Sequence, residues 1–306
     1  MEENAIFHDP RARQTPARQT SKQPSRQARH ATRIHILSGF DPTARYMIER
    51  LRERGLVDHV TRIVWKPKRV AVESPPSASG TPLLERLSGK MAERLQGAFM
   101  DWHFKRLDRG LCQALFGTDT APDVAYDDEV EAAAINRKAF ARRMRALAPE
   151  MTIVNGAPIL REPIFSVPSA GTVNVHFGII PQYRGVSTIF WPIYHDDFDH
   201  VGVTLHYMNQ RVDAGAVLAH GYPALEPGDN EATIMAKCIR IAVESIDTLA
   251  RARRANRVIR GKVFEDSGRL FRKRQRHAWQ EIELACKLRA GLITIPSRPE
   301  RVVTYF

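Results

Sequence analysis

The order in which apolar runs and helical stripes alternate constrains this chain more than any other feature of its sequence. Arg33-Ile-His-Ile-Leu-Ser38 is a short apolar run that stops at Gly39, as a buried strand does. Asp41 and Pro42 stand where a helix takes its N-cap and its first residue, and Met47, Ile48 and Leu51 follow at helical spacing. Val60 to Trp65 reads as a second strand. Strand, helix, strand in that order opens an α/β sheet. The alternation resumes with an Arg-rich helix over residues 139–147, stopped by Pro149, and a strand over Met151-Thr-Ile-Val154. Asn155-Gly156 makes a turn and Thr172 to His176 a further strand. Val201 to His206 and Ala216 to Leu218 read as two strands flanking a loop, and Glu231 to about Arg254 as one long helix. The expected fold class is therefore α/β, a doubly wound, mostly parallel, Rossmann-like sheet.

Between the two stretches of alternation lies a long helical insertion, over about residues 71–120. Residues 72–82 have the composition of a linker, rich in Ser and Pro. Leu83, Leu87, Met91, Leu95, Phe99 and Trp102 then recur at steps of three and four, and Leu107, Leu111 and Leu115 continue the stripe. Such a stripe most often covers the protein's own core; a lid or a partner-facing surface is the competing reading for so long an insertion. Residues 1–30 are rich in Arg, Gln, Ser and Pro and read as a disordered basic tail. Residues 31–250 then form one domain, and 251–306 a small C-terminal α/β extension in which Val258 to Arg274 alternates around Gly268 like a hairpin.

With 43% hydrophobic residues, the 306-residue chain can bury a substantial core. It has no run of about 18 apolar residues, so no membrane span is expected, and the polar N-terminus argues against a secretory signal. Cys112, Cys238 and Cys286 lie far apart, in no ligand spacing. They read as buried or partly buried thiols in a reducing, cytoplasmic compartment, with no structural metal. A net charge of +12 draws in polyanions, tRNA and nucleotides among them, but an equal account is Arg on solvated helix faces.

The chemistry concentrates at one strand end. Asn174 and His176 are two apart on a strand, so their side chains leave one face. An amide beside an imidazole can hold an oxyanion and move a proton. Gly178, Pro181 and Gly185 fix an irregular loop just beyond, where open α/β sheets place their ligands. Asp213, in Arg211-Val-Asp-Ala-Gly-Ala-Val-Leu218, supplies a carboxylate that would orient an imidazole; capping a turn is its plainer role.

Asn174-x-His176, Pro181-x-Tyr183-Arg184-Gly185, Trp191, Gly202-Val-Thr204, His206 and Asp213-x-Gly215 with Val217-Leu218 occur in one order. That series resembles the signature of the formyltransferase family, which includes methionyl-tRNA, glycinamide ribonucleotide and sugar-nucleotide formyltransferases. The likeness runs over about residues 31–250. It implies Asn174, His176 and Asp213 as catalytic residues, 10-formyltetrahydrofolate as co-substrate and a primary amine as acceptor. By the same resemblance, Asn155, Gly156, Ile159 and Leu160 match a strand-end loop that holds the pterin with backbone groups.

Three departures bear on the acceptor. Gly178-Ile-Ile-Pro181 stands where many members carry Ser-Leu-Leu-Pro, so a hydroxyl is missing. The insertion is longer than the family's connection, and too little chain follows residue 255 for the C-terminal β-barrel of a tRNA formyltransferase. A small amine, an amino sugar nucleotide or other pathway amine, is the leading expectation. Methionyl-tRNA is the alternative, and a non-catalytic binding protein on the same fold a third. Homodimerisation through the insertion or the C-terminal segment is also expected. His195, Asp196, Asp197, Asp199 and His200 crowd one loop, but their place matches a family turn and no metal is expected there. The Arg cluster of residues 251–276 suits either a phosphate or water.

Overall fold

A computed structural model describes residues 33–66, 83–265 and 268–306, with the backbone alone for residues 83–90. The expected tail and the linker over 72–82 lie outside these residues. The chain runs β1 (Ile34–Ser38), α1 (Pro42–Glu53), β2 (Val57–Val64), α2 (Leu83–Phe116), β3 (Asp128–Glu131), α3 (Lys138–Leu147) and β4 (Met151–Asn155). It continues α4 (Glu162–Phe165), β5 (Thr172–His176), β6 (Tyr183–Gly185), α5 (Phe190–Tyr194), β7 (Val203–Tyr207), β8 (Val217–Tyr222) and α6 (Glu231–Arg254). The last elements are β9 (Arg269–Phe271), α7 (Ala278–Arg289) and β10 (Arg301–Thr304).

Eight strands form one sheet in the order β10-β8-β7-β5-β4-β1-β2-β3. The run from β5 to β3 is parallel throughout, and β7, β8 and β10 add antiparallel strands beyond β5. This is the mostly parallel α/β sheet that the sequence order demanded. Every residue of β1 and β4 is buried, because helices cover both faces, which explains why they read as continuous apolar runs.

Local chemistry sets the helix ends. Asp41 caps α1, its Oδ1 accepting from Thr43 N and Ala44 N at 3.0 and 3.1 Å. Asn230 caps α6 in a reciprocal box with Thr233. The apolar face of α6, including Ile234, Cys238, Ile241 and Leu249, is buried in the main core.

The two stripes of the insertion are one helix, and among the described side chains the second behaves as a core stripe while most of the first is exposed. Leu111 packs with Ala232 and Ala236 of α6, with Leu107 and Leu115 beside it. Met91, Leu95 and Trp102 are 63%, 66% and 55% exposed. Cys112 and Cys238 are buried, whereas Cys286 is exposed, contrary to expectation.

The expected hairpin over Val258 to Arg274 does not pair with itself among the described residues. β9 instead runs parallel to β6, and Lys262 bridges to Val217 of β8. The physical reason is that both arms find unfilled backbone partners on the domain. β10 likewise adds to the open edge of the sheet at β8. Among the described residues no helix is long and apolar enough to cross a membrane.

Candidate active site at the end of β5

Asn174 and His176 leave β5 towards a cavity of about 840 Å³ that lies beyond the ends of β1, β4 and β5. Asp213 arrives from the β7–β8 connection at φ 45°, a left-handed conformation that Asp tolerates better than most residues. The structure thus gathers Asn174, His176 and Asp213 around one cavity wall.

His176 is buried and its Nε2–H donates to the carbonyl of Tyr183 at 2.8 Å. That bond selects the tautomer and leaves Nδ1 as the nitrogen facing Asp213 Oδ2, 3.6 Å away. The Tyr183 carbonyl thus holds the ring from one side, and the carboxylate of Asp213 faces it from the other. Burial lowers the pKa of His176, and Asp213 and the Tyr183 carbonyl only partly oppose it, so the ring is neutral at neutral pH.

Burial would raise the pKa of Asp213. The imidazoles of His176 and His206 and the Gly185 N–H, which donates to Oδ2 at 2.8 Å, outweigh it and hold the carboxyl well below the usual carboxylate range. An ionised carboxylate thus faces the unprotonated nitrogen of a neutral imidazole. A proton arriving at Nδ1 would be welcomed by the charge beside it.

His206, one element of the ordered sequence series, also belongs to this wall. It sits opposite Asn174 in the β5–β7 register. Its Nδ1–H donates to the Tyr207 carbonyl at 2.9 Å, so Nε2 accepts from Asn174 Nδ2 at 3.2 Å. The second Asn174 N–H reaches Asp213 Oδ1 at 3.4 Å, a long bond. It is the donor most easily turned towards a ligand oxygen.

Thr188 explains the departure at Gly178. A Cβ on Gly178 would lie 2.7 Å from Thr188 Cβ and 3.0 Å from Thr188 Oγ1, at φ 154°. The missing hydroxyl of this loop is supplied from across it: Thr188 Oγ1 donates to the Phe177 carbonyl. Sequence spacing had no means of pairing residues ten apart in an irregular loop.

All four expected residues of the β4 loop, Asn155, Gly156, Ile159 and Leu160, line the cavity, and they are held by different contacts. Asn155 is 2% exposed, with its Nδ2 donating to Thr43 Oγ1 at 3.2 Å and its carbonyl accepting from Gly39 N at 3.1 Å. Its side chain ties β4 to the start of α1. Gly156, Ile159 and Leu160 line the cavity, and Asn136 holds the loop by donating to the Ile159 carbonyl and accepting from Arg161 N, each at 2.8 Å. Leu160 packs with Met208, while Ile159 and Val212 are 69% and 37% exposed. Together these form an apolar slot with backbone polar groups along it, which fits a flat heteroaromatic ring.

A second lobe of the cavity is built by α2, the start of α6 and the segment after β9. Arg276 ties it together. Its guanidinium is 3% exposed, bonds both carboxylate oxygens of Glu231 at 2.8 and 2.6 Å, pairs with Glu281 and lies 4.0 Å over the Phe190 ring. Burial would lower its pKa, but Glu231 and Glu281 raise it.

The loop of His195 to His200 serves packing. Asp197 accepts from Tyr183 OH at 2.9 Å and from His200 at 2.8 Å. Among the described residues no group of three or more His, Cys, Asp or Glu could hold a metal ion.

An imidazole beside a carboxylate and an amide donor is an arrangement that can move a proton and hold a developing oxyanion. Residues 109–246 match the model of the formyl transferase family. It is 30% identical over 116 residues to the methionyl-tRNA formyltransferase of Parabacteroides distasonis, covering 37% of this chain and 36% of that one. With that of Myxococcus xanthus it is 34% identical over 106 residues, 34% of each chain. The chain thus spans about a third of the length of the curated relatives it matches. Among solved structures, a sugar N-formyltransferase from a Shewanella species superposes with a TM-score of 0.49 at 15% identity, over 80% of this chain and 78% of that one.

Proposed function

We propose that the protein transfers a formyl group from 10-formyltetrahydrofolate to the primary amine of a small acceptor, an amino sugar nucleotide or another pathway amine. The observation that carries this reading is the His176 Nδ1, left free by the bond from Nε2 to the Tyr183 carbonyl and standing 3.6 Å from Asp213 beside Asn174. The match of residues 109–246 to the formyl transferase family supports it.

Gly156, Ile159 and Leu160 would hold the pterin ring against Met208, with Asn155 fixing the strand end behind them. When bound, the folate supplies the formyl carbon. The chain's own residues do the rest. The amine must attack uncharged, because a protonated amine has no lone pair. His176 Nδ1 takes the proton released from the amine and returns it to the departing nitrogen as the old C–N bond breaks. Asp213 stabilises the imidazolium in between. The Asn174 N–H released from Asp213 stabilises the oxygen of the carbon under attack, an effect worth about 3 kcal/mol. Proton transfer through a placed base contributes about 10²- to 10⁴-fold.

The test is to give the purified protein 10-formyltetrahydrofolate and a panel of primary amines, and to follow tetrahydrofolate release. Turnover of one or more amines is expected. If no amine is formylated and tetrahydrofolate does not bind, the reading fails.

Methionyl-tRNA is the second reading, favoured by the names of the sequence relatives and by the net charge of +12. It requires an acceptor affinity that falls steeply with salt, whereas a small amine does not.

A further inference from the structure

The two lobes of the cavity come from different parts of the chain. The lobe beside Leu160 and Met208 lies wholly within the matched residues 109–246. Most of the other lobe lies outside them: Phe104 and Leu107 from α2, and Leu270, Phe271 and Arg276 from the C-terminal segment, with Asp41 after β1 at its border with the slot, its Oδ2 3.4 Å from where a Gly156 Cβ would stand. A transferase that shares its donor with relatives and differs in acceptor would be divided in this way.

The chemistry of the second lobe is unusual for the end of an open α/β sheet. The first helix after β1 normally offers free backbone N–H groups there, suited to a phosphate. Here Asp41 Oδ1 already takes Thr43 N, Ala44 N and the Thr43 hydroxyl. Among the described residues nothing donates to Asp41 Oδ2, and Asp41 lines the cavity. A phosphate brought to this point would meet a carboxylate and no vacant N–H. Arg276 offers it nothing either, since its guanidinium is held by Glu231 and Glu281. Phe104, Leu107, Met235 and Phe271 supply apolar walls, and Arg272 and Lys273 line the cavity without a carboxylate partner among the described residues.

Resting on the formyl transfer reading, we propose that this lobe receives the acceptor and selects an amine with an apolar body. Asp41 is the specificity-determining residue: it keeps phosphate from the end of β1 and accepts a hydrogen-bond donor of the acceptor instead.

The test measures binding of tryptamine, phosphoethanolamine and tetrahydrofolate by titration calorimetry to the full chain and to Asp41→Ser and Asp41→Asn. Ser and Asn cap helices as Asp does, so the variants lose the charge and keep α1. The wild type is expected to bind tryptamine at least about tenfold more tightly than phosphoethanolamine, and both variants to narrow that ratio about tenfold, with tetrahydrofolate affinity unchanged. Preference of the wild type for phosphoethanolamine overturns the proposal, as does binding of neither amine. So does a ratio that the variants leave within threefold, which would assign any phosphate to Arg272 and Lys273. If tetrahydrofolate also fails to bind, the formyl transfer reading falls; if it binds, only the acceptor assignment does.

Discussion

The slot beside β4 and the lobe beneath α2 open into the same cavity but are held together by opposite means. The slot is a short loop on a fully buried strand, pinned by neutral amide bonds from Asn136 and Asn155. The lobe joins three distant segments through one buried cation and two carboxylates around Arg276. A loop anchored to a strand tolerates little variation in the ligand. An ion-paired clasp between separate segments holds a wall whose side chains can change. Between them stand Asn174, His176 and Asp213, which both lobes share.

The largest effect is expected at the junction. Asp213→Asn keeps its bond from Gly185 N–H but removes the charge opposite Nδ1, so turnover should fall about 10³-fold or more. Tetrahydrofolate affinity should stay within about twofold. Single-turnover kinetics beside a binding titration separates the two; full activity would remove Asp213 from the mechanism.

Arg276→Met tests the clasp. It strands Glu231 and Glu281 together, and breaking such a buried pair costs about 3 kcal/mol. Urea denaturation should show that loss while tetrahydrofolate still binds. Equal loss at both lobes would mean that they are one cooperative unit.

Gly178→Ala presses a methyl group towards Thr188 and His176 at a positive φ, and should cost about 1–3 kcal/mol. Turnover should fall with it, because the displaced ring is His176. An Ala variant as stable and active as the wild type would show that Thr188 yields freely.

The smallest effect lies away from both lobes. His35 is 1% exposed between Thr61 and Thr152, and burial, with His59 adding to it, pushes its pKa from 6.5 down to about 3. It is neutral when folded and protonates near pH 6.5 when unfolded. Its contribution is therefore complete above that pH and is lost as pH falls towards 3, by at most about 1.4 kcal/mol per unit. His35→Gln should flatten the fall in urea midpoint between pH 7 and pH 5. His176, by contrast, should keep its activity limb below the ordinary imidazole range, since burial lowers its pKa too.

Much of the fold was legible because periodicity records burial. Strands covered on both faces, such as β1 and β4, announced themselves as apolar runs, and the caps at Asp41 and Asn230 marked helix starts. The hairpin over Val258 to Arg274 failed for the complementary reason: alternation predicts a strand but not its partner. At the site, Asn174 and His176 were legible from a spacing of two. Thr188 was not legible, nor was the part that Tyr183 plays through its carbonyl, since backbone carbonyls carry no sequence signal.

By itself the sequence determined an α/β sheet, the strand end where Asn174 and His176 project, and the ordered series that leads to Asp213. Those features follow from local periodicity and turn chemistry, which act over a few residues. Only the tertiary structure decided which nitrogen of His176 is free, that the Asn155 side chain reaches Thr43 at the start of α1, and that α2 and the C-terminal segment close a second lobe around Arg276. These depend on contacts between residues 45 to 112 positions apart, or on carbonyl groups common to every residue, and pattern along the chain cannot encode either.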